Sequence, residues 1–341
     1  MKKLLILTTS ALLMAACSTD STDGYQTESD SPVPILLGTS METVTRSNSQ
    51  TLQATELEDG TTVGVYIYHN ATTTTASTGY GYKNLAYTAG NATGDLTLVT
   101  AADQPYFPQD KSKTIDIYAF APRVYTATAE LSTLTAQNVF TTTADQTTDA
   151  SYRASDFVWG KAAAVTYATA SSTTSKIEIP LKHKLSKVNI NIAPGSGMAL
   201  SQLAHARIKL NGVILLGTVD FTTGVVTTRS GATASSVILT SNASTTATTT
   251  FTSGTSTLTA CTSSAVIIPQ SIAASTSFIT VELWDGTAYT TAYNVTTTAA
   301  TSFAAEKVYT YNIIVNSQGL SLTTTIADWT SAGSAISGTA E

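Results

Sequence analysis

The sequence predicts an all-β protein built of two tandem antiparallel β-sandwich domains, and three observations carry that reading. Thr is the commonest residue, charged residues make up only 12% of the chain, and short apolar runs recur throughout with turn residues between them. Thr is β-branched and stiff at χ1, so it suits a pleated, half-buried surface better than a helix. A charged fraction this far below the usual figure of about 25% means that hydroxyls replace charges on the surface. With 341 residues, 42% of them hydrophobic, the chain has the length and the apolar content for two domains with cores of their own.

The elements follow in order. Residues 1–16 have the build of a signal peptide: Lys2 and Lys3 precede an apolar stretch over 4–14, shorter than the roughly 20 residues a bilayer span needs. Residues 17–46 begin as a polar, acidic tether containing Asp20, Asp23, Glu28 and Asp30. They continue into a strand-like run in which Val33, Ile35 and Leu37 alternate with Pro34, Leu36 and Gly38. Thr45-Arg46-Ser47-Asn48 follows as a polar, accessible linker.

From there strand runs are expected at 63–68, 96–99, 115–121, 176–181, 187–192 and 206–216. Further runs are expected at 225–228, 237–239, 265–268, 278–284, 308–315 and 320–326. The run ending at Ala121 stops at Pro122, which cannot donate to a ladder. Only 199–206 has a brief helical pattern, and the Thr/Ala/Ser-rich stretches 71–78 and 241–250 are expected to be exposed loops or hairpin tips. Pro194-Gly195-Ser196-Gly197 is the best boundary, dividing the chain into an N-terminal sandwich over 47–193 and a C-terminal one over 194–341.

Several function classes find no support. The net charge is −6, and the Lys and Arg residues are mostly scattered singly, so no basic stripe exists to neutralise nucleic-acid phosphates. Three His and two Cys offer almost nothing for a metal site, and no cofactor is expected. Phosphate loops, Gly-x-Ser-x-Gly elbows and His-Glu-x-x-His helices are absent from the sequence, and the chain reads as a non-enzyme. His183 between Lys182 and Lys184 could touch an anion, but a structural role suits it better. Glu282 and Asp285 flank Trp284 in the nearest approach to a carboxylate pair, and a turn at Asp285-Gly286 explains them. The fifteen Tyr could stack on carbohydrate, although many fall on strands where aromatic packing is expected.

Met14-Ala15-Ala16-Cys17 resembles the lipobox of bacterial lipoproteins, in which Cys17 becomes the first residue and carries diacylglycerol and an acyl chain such as palmitate. An ordinary secretory signal with a chance Cys is the other reading. Cys261 is then left as a small buried hydrophobe.

The chain from about residue 33 is similar to the fimbrillin family of Bacteroidales. The resemblance rests on Val63-Gly64-Val65-Tyr66, Tyr82-Lys83-Asn84, Tyr106-Phe107-Pro108 and Ile117-Tyr118-Ala119-Phe120-Ala121-Pro122. It continues through Asp156-Phe157-Val158-Trp159-Gly160, the run 181–188, Ile267-Ile268-Pro269-Gln270, the run 303–311 and Ile326-Ala327-Asp328-Trp329. It implies a two-domain all-β subunit of a type V pilus, reaching the cell surface as an outer-membrane lipoprotein precursor and ending in a fimbrium. It also implies a processing site, with an arginine-specific protease cutting between Arg46 and Ser47 and removing the strand that carries Val33, Ile35 and Leu37. A strand from the next fimbrial subunit then fills the groove by β-augmentation, and the donor would be C-terminal, either 320–326 or the tail 332–341. The tail holds a single large apolar residue, Ile336, which suits a tip or accessory subunit better than a stalk.

The other reading is an uncut, lipid-anchored surface protein or anchor subunit, monomeric and holding a host protein or glycan through its loops.

Overall fold

Each strand of the protein is half of a two-sided pattern, and the architecture follows from which side meets which core. A computed structural model describes residues 32–41, 57–70, 81–90, 94–110, 112–123, 130–131, 139–167, 176–239 and 248–329, together with the backbone of 336–338. Among these residues the strands are β1 (Leu37–Met41), β2 (Thr62–Asn70), β3 (Gly81–Ala89), β4 (Leu96–Leu98), β5 (Thr114–Ala121) and β6 (Val139–Thr141). Helix α1 (Asp149–Ala154) precedes β7 (Val158–Thr166), β8 (Ile177–His183) and β9 (Ser186–Pro194). After helix α2 (Leu200–Leu203) come β10 (Arg207–Ile214), β11 (Leu216–Asp220), β12 (Val225–Thr228), β13 (Ala234–Ile238), β14 (Thr248–Ser253) and β15 (Ser256–Ile267). The last strands are β16 (Gln270–Ile272), β17 (Ser277–Trp284), β18 (Tyr289–Thr296), β19 (Thr301–Phe303), β20 (Lys307–Asn316), β21 (Gly319–Asp328) and β22 (Ile336–Gly338).

A seven-stranded sheet in the order β1-β8-β7-β5-β2-β3-β4 wraps around the first core. On β2, Val63, Val65 and Ile67 face that core, while the alternate Tyr66 and Tyr68 face the other way. On β5, Ile115, Ile117, Ala119 and Ala121 face in, and Tyr118 and Phe120 face out. This is the strand period of two, with branched residues on one side and aromatic residues on the other.

A second core lies between a six-stranded sheet, β14-β15-β9-β20-β21-β22, and a four-stranded sheet, β13-β10-β17-β18. Val188, Ile190 and Ile192 of β9 and Ile313 and Val315 of β20 meet Ile208, Leu210, Ile279 and Val281 of β10 and β17. Strand β9 is buried on both faces. Its polar side is satisfied by neighbours: Ser264 Oγ donates to Asn189 Oδ1 (2.8 Å), Thr262 Oγ1 to Asn191 Oδ1 (2.7 Å), and Asn191 Nδ2 to Asn312 Oδ1 (2.7 Å).

The aromatic faces of β2 and β5 form a third core with the three-stranded sheet β12-β11-β6. Phe120 and Phe221 lie 4.5 Å apart between ring centroids, and Phe140 and Phe157 5.3 Å. The described residues from Val33 onward form one compact unit. Sheet membership changes near Lys184 and Leu185: among the described residues β9, whose last residue is Pro194, hydrogen-bonds within its sheet to the later strands β15 and β20, and the early strand β6 pairs with β11.

Most ladders are antiparallel as expected, but β1 with β8 and β9 with β20 run parallel. Thr248–Thr250, expected in an exposed loop, are instead paired in β14 with residues 259–261 of β15. The stretches 71–78 and 241–247 lie outside the described residues. Helix α2 occupies part of the expected helical stretch, whereas α1 was not expected. Its start is fixed by a capping box in which Thr148 Oγ1 accepts from the Ser151 N–H.

Candidate functional site

The segment 33–41 lies in a slot of the first core and is held along both edges. On one side β1 runs parallel to β8 in the register Leu37↔Ile177 to Met41↔Leu181, and the Ile177 N–H donates to Leu36 O (2.9 Å). On the other side Pro34 bridges to Tyr106 and Gly38 to Asp95. The Ile35 N–H donates to Pro105 O (2.9 Å), the Phe107 N–H to Val33 O (3.0 Å) and the Thr39 N–H to Gly94 O (2.6 Å). The far end of the sheet thereby meets its near end through this one segment.

Alternation puts the apolar side chains inward. Ile35 is 1% and Leu37 2% exposed, Met41 is buried, and Val33 packs half-buried against the same core. Tyr87 belongs to that core too, and burial pushes its phenol up from the ordinary range. Thr39, on the inward row between Leu37 and Met41, is satisfied by donating its hydroxyl to Gly94 O (3.1 Å). Gly94 has φ +66° and comes so close to the segment that a Cβ would stand 2.0 Å from Thr39 O, so glycine is required there. Outside the slot Lys176, next to Ile177, forms an ion pair with Asp95, which faces Gly38 from the opposite wall. The pair joins the two walls.

The other sequence-derived candidates divide. Cys17, Arg46 and Ser47 lie outside the described residues. The stretch 320–326 belongs to β21, which pairs with β20 from Asn316↔Gly319 to Lys307↔Asp328 and with β22 over Ile326↔Ile336 to Thr324↔Gly338. His183 is a structural residue. It is buried beside Asp156, with Nδ1 3.0 Å from Oδ1 and 2.9 Å from Oδ2, and Trp329 stacks on its ring at 4.2 Å and 3°. Asp285 caps its turn, accepting from the Thr287 and Ala288 N–H groups (2.8 Å each). Glu282 is ion-paired to Arg207 and to Lys209 (2.8 Å). Burial also pushes the thiol of Cys261 up, as for an inert core residue.

Sequence reasoning missed the opposite wall of the slot. Gly94-Asp95 has turn composition, yet its pairing with a segment more than fifty positions earlier in the chain has no local signal. Among the described residues no helix is long and apolar enough to cross a membrane, and no group of three or more His, Cys, Asp or Glu is placed to hold a metal ion.

Residues 45–329 match the sequence profile of the fimbrillin-like family. No curated protein sequence matches the chain. The structure is similar to that of a candidate cell adhesion protein from Bacteroides ovatus, with 17% identity, a TM-score of 0.59 and coverage of 88% of this chain and 98% of the other. A candidate cell adhesion protein from Bacteroides uniformis shares the fold at 20% identity and a TM-score of 0.55, over 87% of this chain and 98% of its own. The tip fimbrial protein Mfa3 from Porphyromonas gingivalis, with C-terminal truncation, aligns at 10% identity and a TM-score of 0.48 over 88% of this chain and 100% of its own.

Proposed function

The chain belongs to the fimbrillin-like family, and from that premise we propose that it is a structural or tip subunit of a cell-surface fimbria that supports adhesion. On this reading it is exported as a lipoprotein acylated at Cys17 and attached to the outer membrane as a precursor. Cleavage between Arg46 and Ser47 by an arginine-specific protease then severs 17–46 from the body, and a strand from another subunit takes the place of β1. The role is structural and needs no catalysis.

One observation carries the reading: the segment just upstream of Arg46 lies as a strand in an apolar slot, bonded on both edges and contributing Ile35 and Leu37 to the core. Without it the slot would expose two rows of unpaired backbone groups and the apolar floor. That surface pairs readily with another chain. The cut also detaches the acylated end, so release from lipid and readiness to assemble arise from one bond cleavage. Residues 47–193 and 194–341 are then the two sandwich halves of the mature subunit, coupled through β9, which ends the first and lies in a sheet of the second.

The test is the N-terminal residue and mass of the protein taken from the native cell surface. A start at Ser47 without lipid supports the proposal. A start at acylated Cys17 overturns the cleavage step and leaves an anchor subunit or an uncut surface lipoprotein.

A further inference from the structure

The outer face of the four-stranded sheet β13-β10-β17-β18 takes no part in the strand exchange. Trp284 and Tyr289 face each other across the β17–β18 hairpin, with ring centroids 4.9 Å apart, 61° between planes and 38% and 39% exposure. Trp and Tyr combine a large apolar ring with a polar atom and are enriched at binding surfaces. Here they are held out by the turn that Asp285 caps and by the guanidinium of Arg207, whose Cζ lies 4.1 Å from the centre of the Tyr289 ring. The aromatic end is therefore a built surface.

The row of side chains running back from Trp284 is entirely polar. Glu282 and Thr280 follow on β17, with Lys209 and Asn211 beside them on β10; with Asp145, Ser236, Ala144 and Ile238 they line a cleft of about 420 Å³, and the Trp284–Tyr289 pair stands outside that lining. The strand rise makes the distance from Trp284 to Thr280 about 13 Å. Asn211 Nδ2 donates to Thr280 Oγ1 (2.9 Å), Thr280 Oγ1 donates to Asn294 Oδ1 (2.8 Å), and Ser236 Oγ donates to Asn211 Oδ1 (2.8 Å). Asn211 Nδ2 also donates to Ser277 O (3.0 Å), so the network uses the amide hydrogens of Asn211 and the hydroxyl hydrogens of Thr280 and Ser236, and what these groups offer a ligand is acceptor oxygen. Arg207 and Lys209 are both committed to Glu282, and Asp145 lines the cleft as well, so the surface carries no surplus positive charge for an acidic ligand.

We propose that this face binds a neutral oligosaccharide, one ring packing against the Trp284–Tyr289 pair and further rings bonding their hydroxyls to Thr280, Asn211 and Glu282. A sugar has an apolar face for the aromatics and a rim of groups that both donate and accept, which matches this sequence of surfaces. The inference rests on the fimbrial reading only for why a sugar site would stand at the cell surface.

The test applies the full chain to an array of neutral and sialylated oligosaccharides, then measures by calorimetry the neutral oligosaccharide that the array binds best. Binding to a neutral class is expected, weakened at least about tenfold by Trp284→Ala, as for a buried aromatic anchor. Thr280→Ala should weaken it too if the first variant fails to fold, and Val99→Ser on the first half should leave it unchanged. Silence on every neutral glycan, binding only to sialylated ones, or binding indifferent to Trp284→Ala and Thr280→Ala would overturn the proposal. So would self-association in the ultracentrifuge that disappears with Trp284→Ala, because the face would then belong to a second copy of the chain. The N-terminal mass decides the fimbrial reading separately: a start at Cys17 leaves the sugar site standing, and failure on the array leaves the cleavage standing.

Discussion

Leu37→Ala tests the slot at one of its most buried points. Leu37 is 2% exposed, and its strand is fixed on one side by β8 and on the other by the backbone of Gly94 and Pro105. Walls held by hydrogen bonds collapse poorly onto a cavity, so the cost should fall inside the range of about 2–5 kcal/mol measured for buried Leu truncations, near 3 kcal/mol. At about 1.4 kcal/mol per tenfold, that is roughly a hundredfold in the folded-to-unfolded ratio. Urea unfolding of the uncut chain followed by tryptophan fluorescence should show a lower midpoint at unchanged slope. Ser40→Ala, at an exposed position of the same strand, should stay within about 0.5 kcal/mol of the parent. A second assay reads the function. If the chain is cut at Arg46 as proposed, the severed segment is held by its contacts alone, and Leu37→Ala should speed its release by a similar factor, since such losses fall mainly on dissociation. A variant within about 0.5 kcal/mol of the parent and unchanged in release would refute the reasoning.

Three further outcomes are expected. Gly94→Ala must place a Cβ against Thr39 O in a backbone conformation disfavoured for L residues, and should cost about 2 kcal/mol or more in the same urea assay; Gly231→Ala, with nothing within 4 Å, should cost less. Lys187 is buried, and burial, partly opposed by the Asp156 charge, pulls its pKa down to about 8 from an ordinary 10.5. Between those values the unfolded chain holds the proton that the folded chain has lost, so stability should rise as pH goes from about 8 to 10, and Lys187→Met should remove that rise and stabilise the fold at pH 7. Flat stability over that interval in the parent would contradict the lowered pKa of Lys187. Arg46→Ala should leave an acylated precursor starting at Cys17 and abolish fibres, read by surface mass spectrometry and electron microscopy; normal fibres would remove Arg46 from the mechanism.

The legible parts of this fold are those written in local alternation. Val63, Val65 and Ile67 against Tyr66 and Tyr68 announce a strand between two cores, and Ile35 and Leu37 announce one apolar face before any partner is known. Strands without such contrast were missed. In β18, Tyr289–Thr296, Thr stands on both parities and Thr291 interrupts the row of Tyr289, Tyr293 and Val295, and β7 runs Lys161-Ala162-Ala163-Ala164 through its middle. Parallel pairing was also illegible, because β1 finds β8 across more than 130 intervening residues and neither strand states a direction in its composition. Site residues follow the same division. The alternation at Val33, Ile35 and Leu37 was visible, while the wall formed by Gly94, Asp95 and Lys176 depends on tertiary approach. Trp284 was noticed in the sequence only as a neighbour of two carboxylates. Its partner Tyr289 and the guanidinium over that ring come from hairpin register and from a strand some eighty residues away.

Under the proposed strand exchange, the parallel alignment of β1 with β8 would give each junction a sense of direction. A replacement strand that keeps the register of Leu37 to Met41 against Ile177 to Leu181 must run the way β8 runs, entering where Ile35 lies and leaving beyond Met41. Repeated along a filament, that rule makes the two ends chemically different, one presenting an empty slot and the other a strand with nowhere to go. It also sets how the joint carries load. Tension applied along the strand pulls on its whole row of slanted hydrogen bonds together instead of opening them one after another, so a cell held by such a fibre would be held in shear.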